Sequence, residues 1–194
     1  SHSHIVASLI NAVRNGKQVT AVVELQARFD EQANIDWATQ LMDNGVNVIF
    51  GVPGLKVHSK LILIERVEKS VVRYYSHVGT GNFNEGTAKV YTDFSLLTYH
   101  QDIGAEVAQA FDFTQYAYRR HKYKHLLMSP IYARDSLENL IKKETQAAQQ
   151  GKPAALTLKC NNLVDQRIIE LLYAASDAGV KIKMIVRGMC AVQP

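Results

Sequence analysis

The chain has 194 residues, of which 47% are hydrophobic, and its 22 basic and 18 acidic residues give a formal net charge of +4. This is enough for one complete α/β domain and part of another, and so small a basic excess does not by itself imply nucleic acid as a partner. The two cysteines, Cys160 and Cys190, form no CxxC pair. We therefore expect neither a structural zinc site nor a disulfide framework, and a reducing, cytoplasmic setting.

Long apolar segments are missing from the sequence. No apolar run approaches the roughly 20 residues that a membrane-spanning helix needs. The N-terminus also lacks the basic stretch and apolar core of a secretory signal. We therefore expect a soluble, intracellular chain.

Helices and strands alternate in the first part of the chain. Apolar residues at helical spacing over 5–13 predict a helix, and residues 19–23 predict a strand. A second helix over 34–44 leads into a strand over 46–50, and a glycine ends each helix. Alternation of this kind predicts an α/β fold.

The middle of the chain is rich in strands. Residues 57–64 follow a Pro-Gly turn signal and are apolar on both faces towards their end, which predicts a central strand covered by helices. Residues 62–67 and 71–77 predict a hairpin, so the sheet is expected to be mixed. A strand over 94–99 and a helix over 103–111 follow.

A polar stretch over residues 116–125 interleaves four basic residues with three tyrosines. This composition suits binding of a nucleic acid or nucleotide, but a solvated linker with a few packed tyrosines is favoured. We predict a domain junction here, with a first domain at residues 1–125 and the start of a second at 126–194. In the second domain, Ser136 is predicted to cap a helix that ends at Gly151.

One unit of the sequence recurs. The helix, glycine and strand over residues 5–23 match residues 168–186 in phase, with an offset of 163 positions. A coincidence is the alternative, because helix–glycine–strand is common in α/β proteins. If the match reflects a duplication, the counterpart of the strand around His58 lies beyond Pro194. We therefore expect the chain to be a fragment, truncated within its second domain.

The motif His58-Ser59-Lys60 carries the clearest chemical signal. Side chains two apart on a strand share a face, so His58 and Lys60 are expected to point together at one ligand. The loop Gly79-Thr80-Gly81-Asn82 follows about twenty residues later and is of a size that suits phosphate. A nucleophile, a cation and such a loop indicate phosphoryl chemistry. On spacing alone, however, a histidine on a strand is more often packed or hydrogen-bonded than nucleophilic, and a tight turn that needs positive φ also accounts for the glycines.

The HxK motif followed by GxxN resembles the phospholipase D superfamily, in which two similar halves pack about a pseudo-twofold axis and share one active site. The wider sequence is more similar to the C-terminal half of the polyphosphate kinase family, which polymerises phosphate from ATP. This similarity rests on five blocks in the same order, residues 23–30, 54–60, 77–84, 91–93 and 186–190. It implies a phospholipase D-like mixed sheet flanked by helices, with one complete domain and the truncated start of a second.

The resemblance also implies a catalytic set. His58 matches the histidine that is phosphorylated during turnover, and a neutral imidazole is nucleophilic near pH 7. Lys60 and Asn82 are then expected to hold the oxygens of the transferring phosphoryl group. His77 has no implied chemistry and is predicted to be structural.

Further positions are implied to bind nucleotide and metal. Tyr91 and Arg187 match positions assigned to ATP, and whether Tyr91 stacks on adenine or bonds a phosphate is left open. Arg28 matches a position assigned to the magnesium site. Because a guanidinium has no acceptor, Arg28 is expected to hold phosphate oxygens that the magnesium also contacts.

The implied function is that of an ATP:polyphosphate phosphotransferase in the full-length protein. It moves the γ-phosphate of ATP reversibly to inorganic polyphosphate through a phosphohistidine, with ATP/ADP and Mg²⁺ and without nucleic acid. The full-length protein is expected to be a cytoplasmic homo-oligomer, and peripheral association with the inner face of the membrane is left open. The fragment alone is expected to be inactive, because residues that act as a unit fail together.

Two alternatives remain at this point. One is a phosphodiesterase of the phospholipase D superfamily, which would turn over a diester without ATP. The other is a non-catalytic module that binds an anionic polymer through Arg28, Lys60 and the basic junction.

Overall fold

The computed structural model describes residues 3–24 and 31–193. Two compact units make up the chain, Ser1–Leu126 and Leu127–Pro194. The first unit contains α1 (His4–Arg14), β1 (Thr20–Val23), α2 (Glu31–Asp43), β2 (Asn47–Phe50), β3 (Lys60–Glu68), β4 (Val71–Gly79), α3 (Glu85–Val90), β5 (Ser95–Thr98) and α4 (Gln101–Gln115). The second contains α5 (Ala133–Gln149), β6 (Ala155–Cys160), α6 (Gln166–Asp177) and β7 (Lys181–Val186). This is the predicted α/β class.

The chain uses the same helix ending four times. Gly16, Gly45, Gly151 and Gly179 have φ between 71° and 93°, a conformation that only glycine adopts at little cost. At each one, the glycine N–H donates to the carbonyl three residues earlier and the next N–H donates to the carbonyl five residues earlier. These are Schellman endings, which satisfy carbonyls that a helix end leaves unpaired. The prediction that glycines end the helices is confirmed.

Each unit contains an αβαβ module that is built around these endings. In the first module, from α1 to β2, strands β1 and β2 pair in parallel over a core that includes Ile10, Leu41 and Val46. In the second module, from α5 to β7, strands β6 and β7 pair in parallel over a core that includes Ile141 and Leu172. Burial of these apolar side chains stabilises each module.

The modules change the interpretation of the internal repeat. Element order aligns α1 with α5 and α2 with α6, so Gly16 corresponds to Gly151 and Gly45 to Gly179. The offsets are then 135 and 134 positions rather than 163. The sequence match compared the first helix of one module with the second helix of the other, because both end in the same glycine motif.

The second sheet is antiparallel, with strand order β3-β4-β5. The predicted hairpin is confirmed, since β3 and β4 pair along their whole length from Lys60↔Gly79 to Glu68↔Val71. Lys69 and Ser70 form its two-residue turn with φ of 49° and 64°, which matches the twist that a type I′ turn supplies.

The prediction of a central, buried strand over 57–64 is wrong. Strand β3 begins at Lys60 and lies at an edge of the three-stranded sheet. Ile64 and Val67 are 54% and 74% exposed. The sequence is apolar on both faces, but α4 packs against the sheet on one face only, through Gly104 beside Tyr74.

Residues 116–126, which we term the strap, follow α4 and are held against it. Glu106 on α4 is 7% exposed, and its carboxylate accepts hydrogen bonds from the backbone N–H groups of Lys124, His125 and Leu126 at 2.7–3.1 Å. Asp112 on α4 bonds the side chains of Arg119 and His121, both at 2.8 Å. The strap is therefore fixed at several points, unlike the solvated linker that the sequence favours.

One smaller expectation differs from the structure. Helix α5 begins at Ala133 after Tyr132, so Ser136 lies inside the helix and does not cap it. Among the helices within residues 3–24 and 31–193, none is long and apolar enough to cross a membrane.

Candidate active site

The pairing of β3 with β4 brings the two predicted motifs together. His58 lies two residues before β3, and Lys60 is the first residue of that strand. Lys60 is directly opposite Gly79, the last residue of β4, so the chain entering β3 lies beside the start of the glycine loop. The Lys60 ammonium donates a 2.6 Å hydrogen bond to the backbone oxygen of His58. The cation is thereby held next to the backbone that carries the imidazole.

The imidazole of His58 is exposed and its electrostatic environment is positive. Partial desolvation, and then the charges of Lys60 and Lys56, lower the pKa of His58 below its ordinary value. Both effects disfavour the imidazolium. The ring is therefore neutral, and so nucleophilic, to a lower pH than an ordinary histidine.

The ammonium of Lys60 lies between opposing influences. Partial burial lowers the pKa of Lys60, the carboxylate of Asp93 raises it, and Lys56 lowers it again, with a net shift downwards. Asp93 and Lys56 are residues that the sequence analysis did not single out. The acid follows Tyr91 and Thr92 within one of the five blocks, but only the folded three-stranded sheet brings it near Lys60.

A small hydrogen-bond network shapes the glycine loop. The Thr80 hydroxyl donates to the carboxylate of Asp93 at 2.9 Å and accepts the Phe94 N–H at 2.9 Å. A Cβ atom on Gly81 would lie 2.6 Å from a carboxylate oxygen of Asp93. Gly81 is therefore required because Asp93 approaches closely. Positive φ does not explain it, since Gly81 is absent from the positive-φ glycines of the described residues.

Gly79 makes room in the same way for His77. A Cβ atom on Gly79 would lie 2.6 Å from Cε1 of His77. The His77 side chain is buried and its ring lies 5.4 Å from that of Phe83, between ring centroids. Ile62 and Leu97 are directly opposite His77 on the neighbouring strands, so these three side chains share one sheet face with Lys60. The site thus lies on the face opposite α4.

Asn82 and Tyr91, the other predicted site residues of the first unit, lie in and just after the glycine loop. Asn82 is exposed in the loop. Asn84 then caps α3, a six-residue helix that the sequence analysis missed, by accepting the Thr87 N–H at 3.0 Å. Tyr91 follows directly as the C-cap residue and is 42% exposed. The short helix therefore fixes the position of Tyr91 relative to the loop.

Arg187 lies in the second unit, directly after β7. Its Nε donates a 2.6 Å hydrogen bond to the side-chain oxygen of Asn161, which directly follows β6. The remaining predicted residue, Arg28, lies outside the described residues.

Potential metal ligands do not cluster in the described part of the chain. Within residues 3–24 and 31–193, no group of three or more His, Cys, Asp or Glu side chains converges to hold a metal ion. Mg²⁺ commonly binds through one or two carboxylates together with substrate phosphates. The residues described thus do not form an all-protein magnesium site.

The fold and the site define a class. An α/β unit that presents an exposed histidine and a lysine two residues later, beside a glycine loop, is a phospholipase D-like domain with features suited to phosphate chemistry. Residues 1–120 match the family model described as polyphosphate kinase C-terminal domain 1, and residues 126–194 match polyphosphate kinase C-terminal domain 2. The chain belongs to the polyphosphate kinase family, and the resemblance predicted from the sequence is confirmed.

Individual relatives agree with this assignment. The chain is 56% identical over 193 residues to a polyphosphate kinase of Vibrio vulnificus strain YJ016, and 52% identical over 192 residues to one of Escherichia coli K12. It covers 100% and 99% of its own length in these matches but only 28% of each relative. The crystal structure of polyphosphate kinase from Porphyromonas gingivalis superimposes with a TM-score of 0.86 at 36% identity, over 100% of this chain and 32% of that one.

Proposed function

We propose that the full-length protein is an ATP:polyphosphate phosphotransferase and that this chain supplies its phosphorylated residue, His58. The observation that carries the proposal is the exposed imidazole of His58, whose pKa is lowered by partial desolvation and by Lys60 and Lys56. Such a group is both neutral and surrounded by cations that attract phosphate. Membership of the polyphosphate kinase family supports ATP and polyphosphate as the substrates.

The proposed reaction has two displacements at phosphorus. A ring nitrogen of His58 attacks the γ-phosphorus of ATP, the P–N bond forms, and the bond to the β–γ bridging oxygen breaks to release ADP. A terminal oxygen of polyphosphate then attacks the same phosphorus and the P–N bond breaks, so the polymer grows by one unit. Each step is reversible, because the leaving group of each displacement can attack the same phosphorus again. The N–H proton that the imidazole releases when the P–N bond forms returns to the ring when that bond breaks.

The surrounding residues are assigned by what they can donate. Lys60 and Asn82 would hold oxygens of the transferring group, mainly by electrostatic stabilisation. Tyr91 and Arg187 would bind ATP, and Arg28 would hold phosphate oxygens. Mg²⁺ would enter with the nucleotide, since a guanidinium cannot ligate it and the described residues do not form a site for it.

The proposal is tested by labelling the full-length protein with γ-labelled ATP. We expect label on the protein that acid removes, as for a P–N bond, and that is lost in His58→Ala. His4→Ala is the matched control, because His4 is exposed at the start of α1 in the first module. Label that survives acid, or that persists undiminished in His58→Ala, would contradict the phosphohistidine.

Several broader properties belong to the same proposal. We infer domains at residues 1–125 and 126–194, a cytoplasmic location and a homo-oligomer for the full-length protein. Sedimentation of the full-length protein would test the homo-oligomer. Fractionation of cells, with and without washing of the membranes, would test the cytoplasmic location.

A further inference from the structure

We propose that Asn161 is a positioning residue for the ATP site, because its side chain sets the orientation of the Arg187 guanidinium. The inference rests on the proposed function, in which Arg187 binds ATP. Asn161 itself touches neither substrate nor reacting atoms in this role. It acts through the arginine.

The two residues meet where two parallel strands end. Strands β6 and β7 pair up to Cys160↔Val186, and the next residue on each strand is Asn161 and Arg187. The carboxyl ends of parallel strands are where α/β proteins place ligand-binding residues. The Arg187 N–H donates to the Cys160 carbonyl at 3.1 Å and the Gly188 N–H donates to the Asn161 carbonyl at 2.6 Å, so the backbones are already aligned.

The side-chain bond then fixes the plane of the guanidinium. Nε of Arg187 donates to Oδ1 of Asn161 at 2.6 Å. The five N–H donors of a guanidinium lie in one plane, so a bond at Nε determines the directions of the Nη donors as well. Phosphate is recognised by pairs of such donors, and their preorganisation reduces the entropy lost on binding.

An amide accepts from Arg187 without adding a negative charge beside it. A carboxylate in place of Asn161 would also accept from Nε, but it would form an ion pair with Arg187 and compete with phosphate. An amide oxygen supplies the same acceptor without a net charge. Asn162, the next residue, braces the backbone instead, because its side-chain oxygen accepts the Met189 N–H at 2.9 Å.

The test is a double-mutant cycle in the full-length enzyme, read out as the Kd of a non-hydrolysable ATP analogue. We expect Arg187→Ala to raise this Kd about a hundredfold and Asn161→Ala about tenfold, while the unfolding temperature and the KM for polyphosphate stay unchanged. In the Arg187→Ala background, Asn161→Ala should have no further effect. The side chain of Asn161→Ser is too short to reach Nε, so this variant should raise the Kd as much as Asn161→Ala does. It replaces Asn161→Ala if that variant does not fold.

The control uses a similar pair elsewhere. Asn44 accepts a 3.0 Å hydrogen bond from Arg14 on the exposed surface of the first module, so Asn44→Ala should leave the Kd unchanged. An Asn161→Ala enzyme with unchanged Kd, or an effect that adds fully to that of Arg187→Ala, would overturn the positioning role alone. A normal Kd in Arg187→Ala would overturn it together with the proposed ATP contact of Arg187.

Discussion

Residues of opposite charge set the protonation of the candidate site. Lys56 and Lys60 favour the neutral form of His58, while Asp93 favours the charged form of Lys60. Together with desolvation, which is the largest cause for both groups, these charges lower the pKa of His58 and, despite Asp93, that of Lys60. Since these three charges are on separate side chains, each charge can be removed by itself.

Lys56→Gln removes one of the charges that lower the pKa of His58. The pKa should therefore rise, which leaves less neutral imidazole at mildly acidic pH. We expect the acidic limb of the pH dependence of His58 labelling to move to higher pH, with little change at pH 8. The shift should be partial, because desolvation is the larger cause. Lys17→Gln, an exposed lysine after α1, is the control, and equal profiles for both variants would contradict this account.

Helix α4 connects the sheet to the strap. One side of the helix meets β4 at Gly104, where an added Cβ would lie 2.2 Å from Cβ of Tyr74. Another side presents Glu106 to three consecutive backbone N–H groups of the strap. Burial acts to raise the pKa of Glu106, but the bonds from Leu126, Lys124 and His125 outweigh it and the pKa is lowered.

Glu106→Gln should loosen the strap. The amide NH₂ would face N–H donors that the carboxylate now satisfies, so we expect a loss on the order of 2–3 kcal/mol in the free energy of unfolding at pH 7. Amide exchange at Lys124, His125 and Leu126 should accelerate. Because the folded pKa is lowered, the contribution of Glu106 is complete above its unfolded value of about 4.3 and disappears as pH falls through the folded one.

Urea unfolding at several pH values checks this result. The difference in free energy of unfolding between Glu106→Gln and the parent should disappear in acid. Asp112→Asn on the same helix is the comparison, since the Asp112 carboxylate bonds the side chains of Arg119 and His121. Asp112→Asn should lower the free energy of unfolding less than Glu106→Gln does, and it should leave amide exchange at residues 124–126 unchanged. A pH-independent gap would indicate that shape rather than charge holds the strap.

How far the sequence predicts these elements depends on the range of the interactions. The glycine endings and the hairpin were predictable because Gly16 or Lys69-Ser70 act on their own neighbours. The positions of Asp93 beside Lys60 and of Glu106 beneath the strap were not, because each needs contacts between residues distant in sequence. The short helix α3 and the start of α5 were missed since their signals are weak over one or two turns. The roles of His58, Lys60, Asn82, Tyr91 and Arg187 stay predictions.

At the scale of the whole molecule, the sheet face that carries the site is apolar beyond it. Ile62, Ile64 and Leu97 are 41%, 54% and 79% exposed on the face opposite α4. Exposed apolar side chains on a sheet favour association or aggregation. Transfer of phosphate in competition with water also favours a site that is covered during reaction.

Leu97→Lys should therefore lower the binding of a hydrophobic dye to the 194-residue chain and reduce its self-association in sedimentation experiments. It should hardly change stability, because Leu97 is 79% exposed. Val90→Lys on α3, a similarly exposed residue, is the control and should change dye binding less. Equal dye binding by Leu97→Lys and the parent would show that this face is not the surface that binds the dye.

In both αβαβ modules, the side chain of the residue directly after the first strand accepts a hydrogen bond from a residue distant in sequence. Glu24 follows β1 and accepts the Val57 N–H at 3.2 Å, one residue before His58, while Asn161 follows β6 and accepts from Arg187. If the modules descend from one ancestor, duplication allowed this position to specialise twice. The acid accepts from an uncharged backbone amide, whereas the amide accepts from a guanidinium without placing a negative charge beside it. Exchange of the two side chains, Glu24→Asn with Asn161→Glu, should then impair the contact with Val57 in the first module and the contact with Arg187 in the second. Each position would still hold a hydrogen-bond acceptor.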